Sequence, residues 1–331
     1  MKIACAVLIS LWLTSWCHGA VKLSDQSTVV FATAEQGRKI LQTPDDFVTR
    51  LSPFDRSARL KTDKPVSQRE FLDFVGRSVL AWTPQEKQRM NEILAPLQKK
   101  LQPLHLPLPD QVYLIKTTGR EEGGADYTRS NAIILPKSLL SLDATSMQRQ
   151  FCHELFHVLS RANPELRGRL YRIIGFEPCG EISLSDELKK RKITNPDAPQ
   201  ISHCIRIKVD SANRWAVPIL LSRTKKYDIR RGGEFFDYID FQFLLVERDK
   251  KLGKAGIVLD DKKAPRLVPP QKTSGYIEQV GRNTGYVIHP EEILADNFAI
   301  LVLGPRRVPS PGIIDQMKSI LSEQDKKPRK R

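Results

Sequence analysis

Beyond residue 20 the chain lacks any run of eighteen apolar residues, which excludes a later membrane-spanning helix. Cysteine is scarce. Of the five in 331 residues, only Cys152, Cys179 and Cys204 lie past residue 20, an odd number and too few for a disulfide framework. Cys152 reads as a small buried hydrophobe, whereas Cys179 and Cys204 flank a turn-rich segment and are the candidate disulfide pair. There is no internal repeat. Acidic residues are in deficit, 38 against 53 Lys and Arg, for a formal charge of +15. That balance favours weak association with anionic surfaces. No nucleic-acid-binding motif accompanies the charge, so nucleic acid is not an expected partner.

The first twenty residues hold one lysine, an apolar stretch from Ile3 to Trp16, and the small residues Gly19 and Ala20. This is the pattern of a signal peptide, and the expectation is an exported protein, periplasmic or secreted. Cys17 follows Trp16, where lipidation would require a small residue. With 40% hydrophobic residues, the chain is long enough for a sizeable core and more than one subdomain.

Residues 21–105 are expected to be helical. Three helix starts carry an acidic residue three positions after the cap: Thr43 with Asp46, Ser67 with Glu70, and Thr83 with Glu86. From Gln111 the apolar period shortens. Residues 112–117 and 127–135 read as strands separated by a turn at 119–124. Residues 183–285 alternate short strands (205–209, 216–221, 241–246) with turns, among them residues 195–199, and read as a mainly β insertion. Two helices follow over 286–321, then a basic tail over 322–331. The fold class expected is α+β.

The stretch 151–159 stands apart, with His153-Glu154-Leu155-Phe156-His157 at its centre. On a helix, His153 and His157 fall one turn apart on one face and can direct two imidazole nitrogens at one metal ion. Glu154 sits off that axis, where a carboxylate suits a general base better than a ligand. Met147, Phe151, Leu155, Val158 and Leu159 recur at helical spacing, Asp143 can cap, and Pro164 ends the pattern. The candidate zinc site keeps one position open for water, so His203 is expected to be structural.

A third ligand has several candidates. Glu177 and Glu181 follow His157 closely, but Pro178 and Gly180 put them on a turn. The other candidate lies 135 residues past His157: Pro290 opens a helix, Glu291 and Glu292 sit at its positive end, and Leu294, Phe298, Leu301 and Val302 supply an apolar stripe. Glu292 and Asp296 share a face there, whereas Glu291 is rotated by about 100°.

The His-Glu-x-x-His helix followed by Glu292-x-x-x-Asp296 resembles the gluzincin metallopeptidases, the thermolysin-like family. The resemblance implies a zincin-like core and one zinc ion held by His153, His157 and Glu292. It further implies Glu154 as general base and Asp296 as acceptor for a ligand histidine's other ring nitrogen. It covers the two helices and the strand region before the first, over 106–182 and 286–321, and the long spacing implies a substantial insertion. In zincins the strand before the active-site helix commonly pairs with substrate backbone, which points to Tyr127, Arg129 and Asn131. Tyr286 and His289 are the candidate oxyanion donors. The expected function is an exported zinc metallopeptidase acting on a peptide or protein. Two alternatives remain: a catalytically silent binding protein using a basic surface, or a zinc hydrolase or amidase acting on a non-peptide or cell-wall substrate.

Overall fold

A computed structural model describes residues 21–249, 253–304 and 307–323; the expected signal peptide at 1–20 and all but the first two residues of the expected basic tail at 322–331 lie outside them. The fold is mixed α/β, 45% helix and 22% strand. The helices are α1 (Ala34–Gln42), α2 (Asp46–Arg50), α3 (Pro53–Arg59), α4 (Gln68–Ser78), α5 (Pro84–Leu94), α6 (Leu97–Leu101), α7 (Ala144–Ala162), α8 (Pro164–Ile173), α9 (Asp186–Arg191), α10 (Tyr276–Val280), α11 (Pro290–Leu303) and α12 (Pro311–Ser322). No described helix is long and apolar enough to cross a membrane.

The first sheet is built from β1 (Thr28–Phe31), β2 (Val79–Leu80), β3 (Gln111–Thr117), β4 (Tyr127–Arg129) and β5 (Ala132–Pro136), in the order β1-β3-β5-β4 with β2 beside the end of β3. Strands β1, β3 and β5 run parallel, whereas β4 is antiparallel and forms an edge. Both faces are covered, as parallel strands require. Val112, Leu114, Ile133 and Leu135 pack on one side into the core that contains α7 and α11; Ile115, Ala132 and Ile134 alternate onto the other, against α1, α2 and α4.

Two expectations need correction here. The region 21–105 is not wholly helical, because β1 and β2 belong to the central sheet. The partner of β1 lies about eighty residues further on, and four residues carry no period of their own. Residues 127–135 are a hairpin rather than one strand: Arg129 pairs with Ala132 across Ser130 and Asn131, and Ser130 takes φ 53°. Neither turn residue is the glycine that normally announces such a turn.

The second sheet is antiparallel: β6 (Phe176–Pro178), β7 (His203–Val209), β8 (Ala212–Ser222), β9 (Ile239–Asp249), β10 (Lys254–Ile257), β11 (Leu267–Val268) and β12 (Thr273–Ser274), ordered β10-β9-β8-β7-β12 with β11 on β9 and β6 on β7. One face, with Ile205, Ile207, Phe243 and Leu245, joins the main core. The other, with Val217, Ile219, Leu221 and Leu244, forms its own cluster around Cys179 and Cys204. Those two thiols lie in hydrogen-bond contact and are free, so the candidate disulfide is not formed in this structure. Cys152 is buried in α7, where burial pushes its thiol up to about 12.

Candidate metal centre

Helices α7 and α11 pack against each other and carry the centre. Asp143 caps α7, its carboxylate accepting from the N–H groups of Thr145 and Ser146, and the apolar side of the helix is sunk in the core. This turns His153 and His157 toward α11. Helix α11 opens at Pro290, closes at Gly304 with φ 70°, and is buried on nearly every side.

The two imidazoles converge on one oxygen. His153 Nε2 lies 3.0 Å and His157 Nε2 3.7 Å from Glu292 Oε2. The opposite ring nitrogens face other carboxylates, His153 Nδ1 at 3.3 Å from Asp296 Oδ1 and His157 Nδ1 at 3.1 Å from Glu291 Oε1. Such partners fix tautomer and ring orientation, leaving Nε2 available to a metal. The carboxylates are held in turn. Glu291 Oε2 accepts from Ser160 Oγ at 2.8 Å and Tyr171 Oη at 2.5 Å; Asp296 accepts from Arg149 and Thr284; Asn195 Nδ2 donates to Glu292 Oε1 at 2.5 Å.

Two atoms of this buried cluster have no hydrogen-bond partner: His157 Nε2 and Glu154 Oε2. Buried polar atoms are rarely left so. Ligand atoms of His153, Glu154 and His157 fall within 4.8 Å of one another, as do those of His157, Asp197 and Glu292. Charge points the same way. Burial, then Asp197 and Asp126 nearby, push Glu154 well above the usual carboxylate range. Burial opposes ionisation of Glu292, yet the two histidines outweigh it and bring it down to about 2. Burial lowers His153, but Asp296 and Glu292 hold it well above the ordinary histidine value. An excess of carboxylates around two imidazoles is compensated by a divalent cation, and two nitrogens with one carboxylate oxygen are a donor set such an ion accepts. The group can hold a metal ion.

The other candidates are placed as follows. Glu177 is ion-paired with Arg248 at 2.5 Å and Glu181 with Arg50 at 2.8 Å, both half-exposed and both away from the histidines. Tyr286 is 43% exposed and lines the small cavity that also touches Asp126, Asn195 and Asp197; burial and the charges of Glu292, Asp197 and Glu154 raise its hydroxyl. His289 is spent on structure: its Nδ1 accepts the Glu291 N–H at 3.1 Å, capping α11, and burial lowers it to about 4. His203 packs edge-on to Tyr171, 4.7 Å between centroids. On the edge strand, Tyr127 is buried, Arg129 binds Asp45 and the Thr43 carbonyl, and Asn131 Nδ2 donates to the Gln111 carbonyl at 2.9 Å. Those three side chains hold the hairpin in place.

Three members of the centre have no role among the sequence expectations. Glu291 is set aside there by its rotation from Glu292, but a helix buried all round has no solvent side: Glu292 faces both histidines and Glu291 takes the other ring nitrogen of His157. Asn195 and Asp197 lie in a proline-bounded stretch that reads only as a turn. No family model matches the chain, and neither does any curated protein or solved structure.

Proposed function

We propose that the chain is a zinc-dependent metallopeptidase of the gluzincin kind, built on a zincin-like core. The observation that carries this reading is the convergence of His153 Nε2, His157 Nε2 and Glu292 Oε2 beside the unpartnered carboxylate of Glu154. The arrangement of β4, α7 and α11 supports it: an antiparallel edge strand, a helix with both histidines, and a second helix with the acid. The leader at 1–20 supports export.

Zinc held by His153, His157 and Glu292 would supply Lewis acidity to a water and to the scissile carbonyl. Glu154 Oε2 takes a proton from the water that attacks the carbonyl carbon, then delivers it to the amide nitrogen as the C–N bond breaks. Glu154 suits both roles because its Oε2 is buried and unpartnered and a carboxylate oxygen lies within 4.8 Å of the histidine ligand atoms. Asp296 and Glu291 keep the histidine rings aimed. The Tyr286 hydroxyl is a candidate donor to the developing oxyanion.

The deciding experiment is Glu154→Gln in zinc-loaded protein, assayed on a peptide library. Zinc content should stay near one per chain while turnover falls by about 10²- to 10⁴-fold. Equal turnover in parent and variant would defeat the mechanism. A silent binding protein is the second reading, favoured by the hold of Asp197 on the edge-strand N–H of Thr128. Zinc binding with no hydrolysis in either protein would support it.

A further inference from the structure

On the metallopeptidase reading, we propose that residues 194–199 are a plug that keeps this site latent: Asp197 supplies an oxygen at the metal position while the same segment covers the open edge of β4.

A ligand atom of Asp197 lies within 4.8 Å of those of His157 and Glu292, close enough for its carboxylate to take the fourth position that a hydrolytic metal otherwise leaves to water or substrate. The same carboxylate reaches the edge strand. Asp197 Oδ1 accepts from the Thr128 N–H and the Thr128 hydroxyl, each at 2.7 Å. Strand β4 has β5 on one side only, so this N–H is the donor an extended peptide would use when adding itself to the sheet. One residue thus fills two places that a substrate needs.

The segment is anchored at both ends, at Thr194 by Asp55, Arg59 and the Arg50 carbonyl and at the Pro199 carbonyl by Lys192, so the part that can lift is its middle, residues 195–198. Arg161, on the histidine helix, donates to the carbonyls of Pro196 at 3.1 Å and Asp197 at 3.3 Å, and also to the Thr128 hydroxyl at 2.9 Å and the Ser130 carbonyl at 3.1 Å. It ties the plug to the strand that the plug covers. Asn195 bridges within, accepting from the Asp197 N–H at 2.9 Å while donating to Glu292. Between Ile193 and Ser202 the chain has no helix or strand of its own, so displacing it breaks side-chain contacts and no ladder.

Cavities lie on both sides. A cavity of about 460 Å³ bounded by Arg161, Arg167, Tyr171 and Glu291, and a smaller one of about 60 Å³ bounded by Asp126, Tyr127 and Tyr286, share Pro196 and Asp197 as lining. On this proposal, lifting the segment removes the wall that the two spaces share at Pro196 and Asp197.

The test uses full-length protein loaded with cobalt(II), whose visible spectrum reports coordination without turnover, titrated with acetohydroxamate. Asp197→Ala and Arg161→Ala should each bind the hydroxamate about tenfold or more tighter than the parent, because the parent must first vacate the position. Equal affinity in all three, each with cobalt bound, would overturn the plug and leave the metal reading standing. If Asp197→Ala fails to fold, Arg161→Ala decides alone, since Arg161 meets Asp197 only at the main-chain carbonyl and bonds none of the ligand side chains. A parent that takes up no cobalt would overturn both readings together.

Discussion

Two buried polar clusters in this molecule are built from similar residues and come out differently. In the first, Arg59 donates to both oxygens of Glu122 at 2.7 and 2.8 Å, to Asp55 at 2.8 Å and to the Thr194 carbonyl at 3.2 Å, under the ring of Phe235. Asp55 also accepts from the N–H groups of Thr194 and Ser52. No polar side-chain atom of these three residues is left over. In the second, two imidazoles face Glu154, Asp197 and Glu292, and His157 Nε2 and Glu154 Oε2 have nothing to bind. The first carries its own cation and is finished. The second brings imidazole nitrogens and carboxylate oxygens together with no Arg or Lys between them, a donor set able to hold a metal ion.

Breaking the comparison from the metal side gives the largest expected effect. Glu292→Ala removes one of three donors, and after dialysis its zinc should fall from about one per chain to near zero, whereas Glu177→Ala and Glu181→Ala should keep theirs. Elemental analysis of the three variants checks this. Loss only in the Glu177 or Glu181 variant would dismantle the centre described here. Zinc should also raise the melting temperature of the parent but not of Glu292→Ala, because an ion that binds only the native state stabilises it.

From the side of the finished cluster, Arg59→Met strands two buried carboxylates and should cost about 3–5 kcal/mol in urea unfolding. An effect below 1 kcal/mol would mean the ion cluster is dispensable and the contrast drawn above is empty. Smaller effects come from the groups that aim the rings. Asp296→Ala and Glu291→Ala should each weaken zinc affinity by about 10–100-fold without abolishing binding. They separate in a second measurement: Glu291→Ala also leaves the buried hydroxyls of Ser160 and Tyr171 without an acceptor, worth about 1–3 kcal/mol of stability. The smallest effect is expected at Glu177. It is a half-exposed partner of Arg248, and its replacement by Ala should cost under about 1 kcal/mol.

What could be read from the sequence follows a physical boundary. Helix α7 announces itself because its cap, Asp143, its apolar period and its proline stop are local, and the same holds for Pro290 and Gly304 around α11. Asp296 is reachable because it shares a helical face with Glu292. The pairing of His157 with Glu291 is not, since it depends on the packing of α7 against a helix buried all round, where facing and rotation no longer separate inside from outside. Strand β1 escapes for a related reason: what makes Thr28–Phe31 a strand is β3, more than eighty positions away. Asp197 is the extreme case. In the sequence it is the middle of a proline-bounded turn, and only the position of β4 gives its carboxylate a meaning.

The distance along the chain between the imidazoles and Glu292 has a consequence for how the protein is made. His153 and His157 leave the ribosome well over a hundred residues before Glu291, Glu292 and Asp296, and contacts so far apart in sequence are slow to close. Until then the histidine helix has none of its three α11 acids, and the oxygens within its reach are those of Glu154 and, once made, Asp197. The inserted sheet can hydrogen-bond its own strands in that interval, since β7, β8 and β9 follow one another directly. Completion of the centre is then a late event that waits for α11 to dock against α7, and a chain interrupted before residue 290 would carry both histidines, Glu154 and Asp197 but not Glu292 or the acids that aim the rings.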